Sequence, residues 1–217
     1  MARIAFIGGT GPEGVGLAMR FAQSGNAVYI GSRTEERAAE AVAKIHAAVP
    51  EAELYGGPNW DGALKADFIF ITVPAAAHAE ILTELAEAIE DKIVVDCVVP
   101  MIWDETEGPR AAMPEAGSAA EEAAALLPKA KVISAFHHLD ARGLQKVDTP
   151  MQGDVIVCGD HKPAKKKVMA LVEEITYIRG LDGGPLANSR YTEQLTVLLL
   201  HINKIYKAHT GIRVTGV

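Results

Sequence analysis

The chain has 217 residues, 49% hydrophobic, 23% charged and 6% aromatic, and its 28 acidic against 21 basic side chains give a formal net charge of −7. At roughly 150 residues per domain this predicts one domain, or one with a small appendage, long enough to bury about 70% of its unfolded surface without disulfides or metal. The composition excludes disorder, collagen-like repeats and disulfide scaffolds, and the acidic balance argues against nucleic-acid binding, which needs a basic face, while leaving room for an anionic small ligand.

The first apolar run, Ile4–Ile7, reads as a strand and is cut short by glycines. It is too brief for a signal peptide. Next come strands at Val28–Ile30, Phe68–Val73, Ile93–Val95, Val132–Ala135 and Val155–Val157, apolar on consecutive positions as parallel strands covered on both faces are. Helical segments separate them: 14–23, 35–48, 76–89, 119–127 and 165–175. A last helix over 189–209 gathers Leu195, Leu198, Leu199, Ile202 and Ile205 on one broad face, either core or a face for a second copy. Alternation of this kind predicts an α/β fold, Rossmann-like, with a doubly wound parallel sheet. The expected division is a nucleotide-type domain over residues 1–150 and a small α/β extension over 151–217. Two stretches break the rhythm. Residues 97–118 carry three prolines and two glycines with no evident helical or strand period, as a lid or binding loop would, and LDGGPLANSR over 181–190 interposes a Gly-Gly-Pro turn. No run reaches the ~18 apolar residues of a membrane span. Cys97 and Cys158 are isolated, as in a reducing cytoplasm, and no Cys/His spacing suggests a metal.

The chemistry is concentrated after the first strand. Gly9, Gly11 and Gly14 form a G-x-G-x-x-G pattern between a strand and a helix, with Thr10, Pro12 and Glu13 in the intervening positions. Gly9 allows the tight turn, Gly11 lets backbone approach a pyrophosphate, and Gly14 lets helix and strand pack closely. The helix N-terminus adds free N–H groups and partial positive charge. This predicts a dinucleotide site. In NAD-binding proteins an acid at the end of the second strand holds the ribose 2′-hydroxyl; here Gly31-Ser32-Arg33 stands there instead. Ser32 can donate, Arg33 and Arg37 can pair with a 2′-phosphate, and Thr10 can add a donor, so NADP is expected over NAD. Ser32 and Glu35 also fit a capping box that would start the next helix. After the fourth strand, Val73 and Pro74 fix the backbone beside the nicotinamide, and Ala75–Ala77 leave room for a flat ring. His78 is included with the cofactor-binding residues, although alone it reads as a surface or capping histidine before an acid–base group.

These motifs together resemble the NADP-dependent oxidoreductases of the deazaflavin coenzyme F420. The pieces that carry the resemblance are GGTGPEGVGLA at 8–18, IGSR at 30–33, ITVP at 71–74, SAFHHL at 134–139 and LDGGPLANSR at 181–190, and they extend over nearly the whole chain. The resemblance implies reversible hydride transfer between NADP(H) and coenzyme F420, with no metal. It implies that Thr10, Ser32, Arg33 and Arg37 hold the 2′-phosphate, and that Gly9, Gly11 and neighbouring backbone hold the pyrophosphate. Val73 and Pro74 would flank the nicotinamide, and His137, Leu139 and the Gly184–Pro185–Leu186 turn would lie against the deazaflavin. His137 is the candidate to relay the ring proton, or else closes a strand with His138. Arg142, Lys146, Arg190 and Lys204 are candidates for the anionic tail of the second cofactor, with Arg190 alternatively paired to Glu193; Lys165–Lys167 reads as a solvated helix face. The partners implied are small-molecule cofactors, with no nucleic acid, no membrane and a homodimer. The sequence departs from the family at Ala75-Ala76 and in the variable loop 103–117, so Trp103 and Arg110 gain no role by resemblance. Two other readings stay open: an NADPH-dependent reductase of a flavin or a small imine or carbonyl, and a non-catalytic NADP(H)-sensing module with an exposed apolar patch.

Overall fold

The computed structural model describes residues 1–217 and arranges six parallel strands in one sheet. In chain order these are β1 (Arg3–Ile7), β2 (Ala27–Ser32), β3 (Leu54–Pro58), β4 (Phe68–Ile71), β5 (Ile93–Asp96) and, after an intervening hairpin, β8 (Lys131–Ser134). Their spatial order is β3-β2-β1-β4-β5-β8, so the chain runs outward from β1 in one direction and returns to its other side at β4. The fold is therefore α/β with a doubly wound parallel sheet. The crevice between the carboxyl ends of β1 and β4 is the topological switch point, where such sheets bind ligands.

Consecutive apolar residues are explained by two cores, one on each face. Ile4, Phe6, Phe70, Val95 and Ile133 face one side, and Ala5, Ile7, Ile69, Ile71 and Val94 face the other. The first core is built on Phe6, Phe21, Phe70 and Phe136; the Phe6 and Phe70 centroids are 4.9 Å apart and those of Phe70 and Phe136 5.5 Å. It is covered by α1 (Pro12–Gln23), α2 (Glu35–Ala48) and α8 (Lys162–Glu173). The second lies under α3 (Asn59–Lys65), α4 (His78–Glu84), α5 (Ala86–Ile89) and α6 (Ala119–Leu126).

A second, two-stranded parallel sheet pairs β9 (Gly153–Val157) with β10 (Ile178–Asp182). An antiparallel bridge between Ser134 and Cys158 joins it to the end of β8, and Val155, Val157 and Ile178 belong to the first core. The last helix, α9 (Ser189–Tyr206), ends where Lys207 turns left-handed, short of the expected 209.

Several elements differ from the sequence reading. β3 reads LYGGP, with no apolar run; it is an edge strand, where proline and glycine cost least. The segment 97–118 is not without strands: β6 (Met101–Asp104) and β7 (Gly108–Ala111) form a hairpin, whose turn is held by the Asp104 carboxylate accepting the Thr106 and Glu107 N–H groups. The side chains of β6 are largely exposed and β7 buries only Gly108 and Pro109, too short a buried face to leave a period to read. The helix expected over 76–89 is broken into a 3₁₀ turn at Ala75–Ala77, α4 and α5. Short α7 (Ala141–Leu144) is held by a buried arginine: the Arg20 guanidinium donates to the carbonyls of Gly143, Leu144, Lys146, Val147 and Thr149.

Candidate active site

The glycine loop folds as its spacing predicts, and its glycines answer to different constraints. Gly9 donates to the Gly31 carbonyl at 3.0 Å and to that of Phe6 at 3.2 Å, and a Cβ there would come within 2.6 Å of the Phe6 Cβ. At Gly14 a Cβ would meet Gly9 Cα at 2.8 Å and Thr72 Oγ1 at 2.9 Å. Gly11 has no atom within 4 Å of its Cβ position. Nothing in the protein fills that space, so the loop backbone there is open to close approach from outside. Gly8, with φ of +67°, brings β1 and β4 together, because its Cβ position is 2.5 Å from Val73 Cγ1. The loop then enters α1 through Pro12 at the first helical position, where its missing N–H costs nothing.

At the end of β2 the Gly31 backbone is pressed against Asn59, whose side-chain oxygen accepts the Gly8 N–H at 3.1 Å. Ser32 is buried and its hydroxyl accepts the Thr34 N–H at 3.3 Å. Thr34, not Ser32, caps α2, so the expected capping box does not form. Arg33 and Arg37 are exposed. The arginines engaged in ion pairs are Arg3, Arg110, Arg179 and Arg190, which leaves these two guanidinium groups available.

A cavity of about 810 Å³ opens over the carboxyl ends of β4, β5 and β8, lined in part by Glu13, Val73, Pro74, Cys97, His137 and Leu139. That is within the range of small-molecule sites. Phe136 sits fully buried at φ +71°, a strained conformation for a bulky residue that turns the next residue, His137, to the cavity wall. The opposite wall is α9, through Thr196, Leu199, Leu200 and Asn203, and the hairpin adds Met101 and Trp103. Thr196 donates to the His137 carbonyl at 2.8 Å and His201 sits 2.8 Å from the Pro109 carbonyl, so α9 holds both the histidine loop and the hairpin.

The electrostatics centre on Asp96, fully buried at the end of β5. It accepts the Val98 N–H at 3.0 Å and meets His78 Nε2 at 2.7 Å, while His78 Nδ1 meets Glu122 at 2.7 Å. Burial works to lower the His78 ring, but the hydrogen bonds and charges of the two carboxylates lift it to about 9, so it is a cation at neutral pH. His137 has no partner for either ring nitrogen, and burial lowers it to about 4. It is neutral in the same range. Glu13 has one buried oxygen without a partner, and burial, assisted by Asp96, raises its carboxyl to about 8.

Some of the sequence-predicted residues meet here and some do not. Pro12, Glu13, Val73, Pro74, Ala75, His137 and Leu139 line one cavity. His78 is neither at the surface nor toward the cavity: it is clamped between two carboxylates beneath the sheet ends. The Gly184–Leu186 turn also lies elsewhere. Gly184 accepts from Gly159 and Lys165, and Leu186 belongs to the second core. Arg190 pairs with Glu121 at 2.7 Å, while Glu193 accepts the Ala119 and Ala120 N–H groups at the start of α6. Lys165 is buried against Asp182 rather than solvated. Arg142 and Lys204 do reach the cavity; Lys146 supplies only its carbonyl to Arg20. Sequence reasoning missed Asn59, Asp96 and Thr196, each a common polar residue whose role depends on a partner far along the chain.

A doubly wound sheet with a glycine-rich turn at its switch point, an acid-free β2 terminus and a cavity beside it define the class: a dinucleotide-binding protein with room for a second ring system. The family model described as NADP oxidoreductase coenzyme F420-dependent matches residues 3–100. The F420-dependent NADP reductase of Methanocaldococcus jannaschii is 37% identical over 99% of this chain and 98% of its own. That of Methanothermobacter marburgensis is 35% identical, over 99% of this chain and 98% of its own. A solved structure from Arthrobacter sp. FB24, provisionally described as an F420 dependent NADP-reductase, superposes with a TM-score of 0.85 at 22% identity, covering 99% of this chain and 100% of that one. The chain belongs to the F420-dependent NADP oxidoreductase family.

Proposed function

We propose that the protein transfers hydride reversibly between NADP(H) and the deazaflavin coenzyme F420. The observation that carries this reading is the acid-free end of β2, where Arg33 and Arg37 are exposed, together with a cavity at the carboxyl end of the neighbouring β4. The residues present fit both groups: the open Cβ position of Gly11 and the N-terminus of α1 suit a pyrophosphate, and the cavity suits two flat rings. When bound, the nicotinamide and deazaflavin rings would supply the hydride donor and acceptor, in either direction.

The chain's own contribution is positioning and exclusion of water. Thr10, Ser32, Arg33 and Arg37 hold the 2′-phosphate, and the Gly9–Gly14 backbone holds the pyrophosphate. Val73 and Pro74 set the nicotinamide plane. His137 and Leu139 form the wall against the second ring. His137 acts there as a neutral group rather than as an imidazolium acid, since burial keeps its pKa well below neutral. Residues 151–217 complete the second site through α9, with Lys204 and, from α7, Arg142 facing the anionic tail.

The test is the loss of the deazaflavin's visible absorbance with purified protein and either NADPH or NADH. Turnover with NADPH well above NADH supports the reading, and Arg33→Ala then raises the KM for NADPH about 10- to 100-fold while leaving NADH unaffected. Equal turnover with both nucleotides overturns the 2′-phosphate assignment. The protein acts as a homodimer in this reading: Tyr191, Leu198 and Ile205 are exposed seven residues apart on α9, with Leu195 and Ile202 between them, the spacing of a helix-pairing seam. Light scattering on Leu198→Lys should give half the wild-type mass. No helix is long and apolar enough to cross a membrane, and two buried free thiols suit a reducing, cytoplasmic setting.

A further inference from the structure

Glu13 is an odd residue to find where it stands. It lies in the first turn of α1 between Gly11 and Gly14, where the crevice meets the cavity, and lines that cavity with Thr72, Pro74, Cys97 and Val98. One carboxyl oxygen is buried with no hydrogen-bond partner. The residue as a whole is half-buried, and a carboxyl oxygen shut off from water without a donor makes the anion costlier than the neutral acid. The loop that would carry a nicotinamide ring, Thr72–Pro74, lines the same cavity. That ring changes charge in the reaction: it is neutral when reduced and a cation when oxidised. We propose that Glu13 is a proton-holding residue coupled to the nicotinamide, carrying a proton beside the neutral ring and releasing it beside the cationic one.

The inference rests on the NADP reading above. Its direction follows from the Glu13 carboxyl lying near 8 through burial and the charge of Asp96, since a neighbouring cation favours the carboxylate. The balance is simple. The Glu13 O–H bond breaks, the proton leaves to solvent and the electron pair stays on the carboxylate; when reduced nucleotide replaces oxidised, the carboxylate takes a proton back, so Glu13 is unchanged over a turnover and the proton that the reduced deazaflavin gains with the hydride is drawn from solvent. Oxidised nucleotide therefore binds better as pH rises, and reduced nucleotide does not.

The other buried groups facing Glu13 do not mimic this behaviour. The Asp96 carboxylate is engaged by His78 and the Val98 N–H. Burial holds the Cys97 thiol well above its ordinary range and His137 at about 4, so both stay neutral from pH 6 to 8. Burial likewise lowers His138, whose Nε2 meets the Asp154 carbonyl. Arg142, Lys204 and His209 line the cavity but are exposed, and His209 is paired to Asp140 at 3.3 Å. The 2′-phosphate titrates near pH 6, but identically in both redox forms.

The experiment is calorimetric titration of the full chain with NADP⁺ and with NADPH at pH 7, each in two buffers of different ionisation enthalpy. NADP⁺ should release up to about one more proton than NADPH does. The difference should vanish in Glu13→Gln and persist in His209→Gln. Wild type alone provides a second measurement: the NADPH-to-NADP⁺ Kd ratio should rise up to about tenfold per pH unit from 6 to 8 and level above. Equal proton release by the two nucleotides, a flat ratio, or a difference that survives in Glu13→Gln or disappears in His209→Gln overturns the proposal. Failure of both nucleotides to bind overturns the cofactor reading beneath it.

Discussion

His78 and His137 are both buried, both feel Asp96, and arrive at opposite charges. On the α4–α6 side His78 bonds two carboxylates at 2.7 Å and is a cation. On the cavity side His137 has no partner for either nitrogen and is neutral. Burial disfavours the cation in both places; the deciding difference is a hydrogen-bonded counter-charge in direct contact. The first arrangement serves the fold, fixing the end of β5 against α4 and α6. The second leaves a polar ring uncommitted at a cavity wall, as a binding site requires and a core does not.

The strongest way to break this contrast is to remove His78. His78→Leu leaves Asp96 fully buried without its partner and should cost about 3–5 kcal/mol in chemical denaturation. A cost below about 1 kcal/mol would mean that the triad contributes little.

A second test uses pH. The His78 pKa is raised from 6.5 to about 9, so its contribution is complete below 6.5 and lost as pH climbs to 9, on the order of 3 kcal/mol in all. Glu13 and Glu193, each raised by burial to about 8, weaken stability in the same direction between 4.5 and 8. The His137 pKa is lowered from 6.5 to about 4, so its neutral burial loses stability as pH falls through that window. Two carboxyls outweigh His137 between 4.5 and 6.5, so melting temperature should peak near pH 4.5, decline on both sides of it and fall fastest between 6.5 and 8, with the part of the alkaline slope between 8 and 9 belonging mainly to His78. In His78→Leu that last part should flatten.

His137→Leu sharpens the comparison from the other side. It replaces an unpartnered polar ring with an apolar side chain, so stability should change by less than about 1.5 kcal/mol in either direction. The acid limb of the melting curve should become shallower, while deazaflavin KM rises. Smallest of all is Trp103→Ala on the hairpin. The indole is 70% exposed, so unfolding should shift by at most about 0.5 kcal/mol, and any effect should appear in the KM for the deazaflavin and not for NADPH.

What was legible in the sequence was local. The glycine loop, the strand ends and the helix α2 depend on neighbours within a few residues, and β1, β2, β4, β5 and β8 on runs long enough to declare a period. The Gly31-Ser32-Arg33 signal was readable because it is defined by an acid that is missing from a known offset. The hairpin was not readable, since β6 is largely exposed and β7 buries only Gly108 and Pro109, and β3 was not, since an edge strand tolerates LYGGP.

The sequence by itself determined the doubly wound sheet, the dinucleotide crevice and the family, because period, turn chemistry and spacing are properties of contiguous chain. Tertiary structure alone decided which polar residues are structural and which are free to act. Arg20 collects carbonyls more than 120 positions away, Glu193 caps a helix that begins 74 positions before it, and His78 was committed to Asp96 and Glu122 while His137 was left without a partner. Charge and burial at such sites depend on what packs against them across the fold, and no pattern along the chain encodes that pairing.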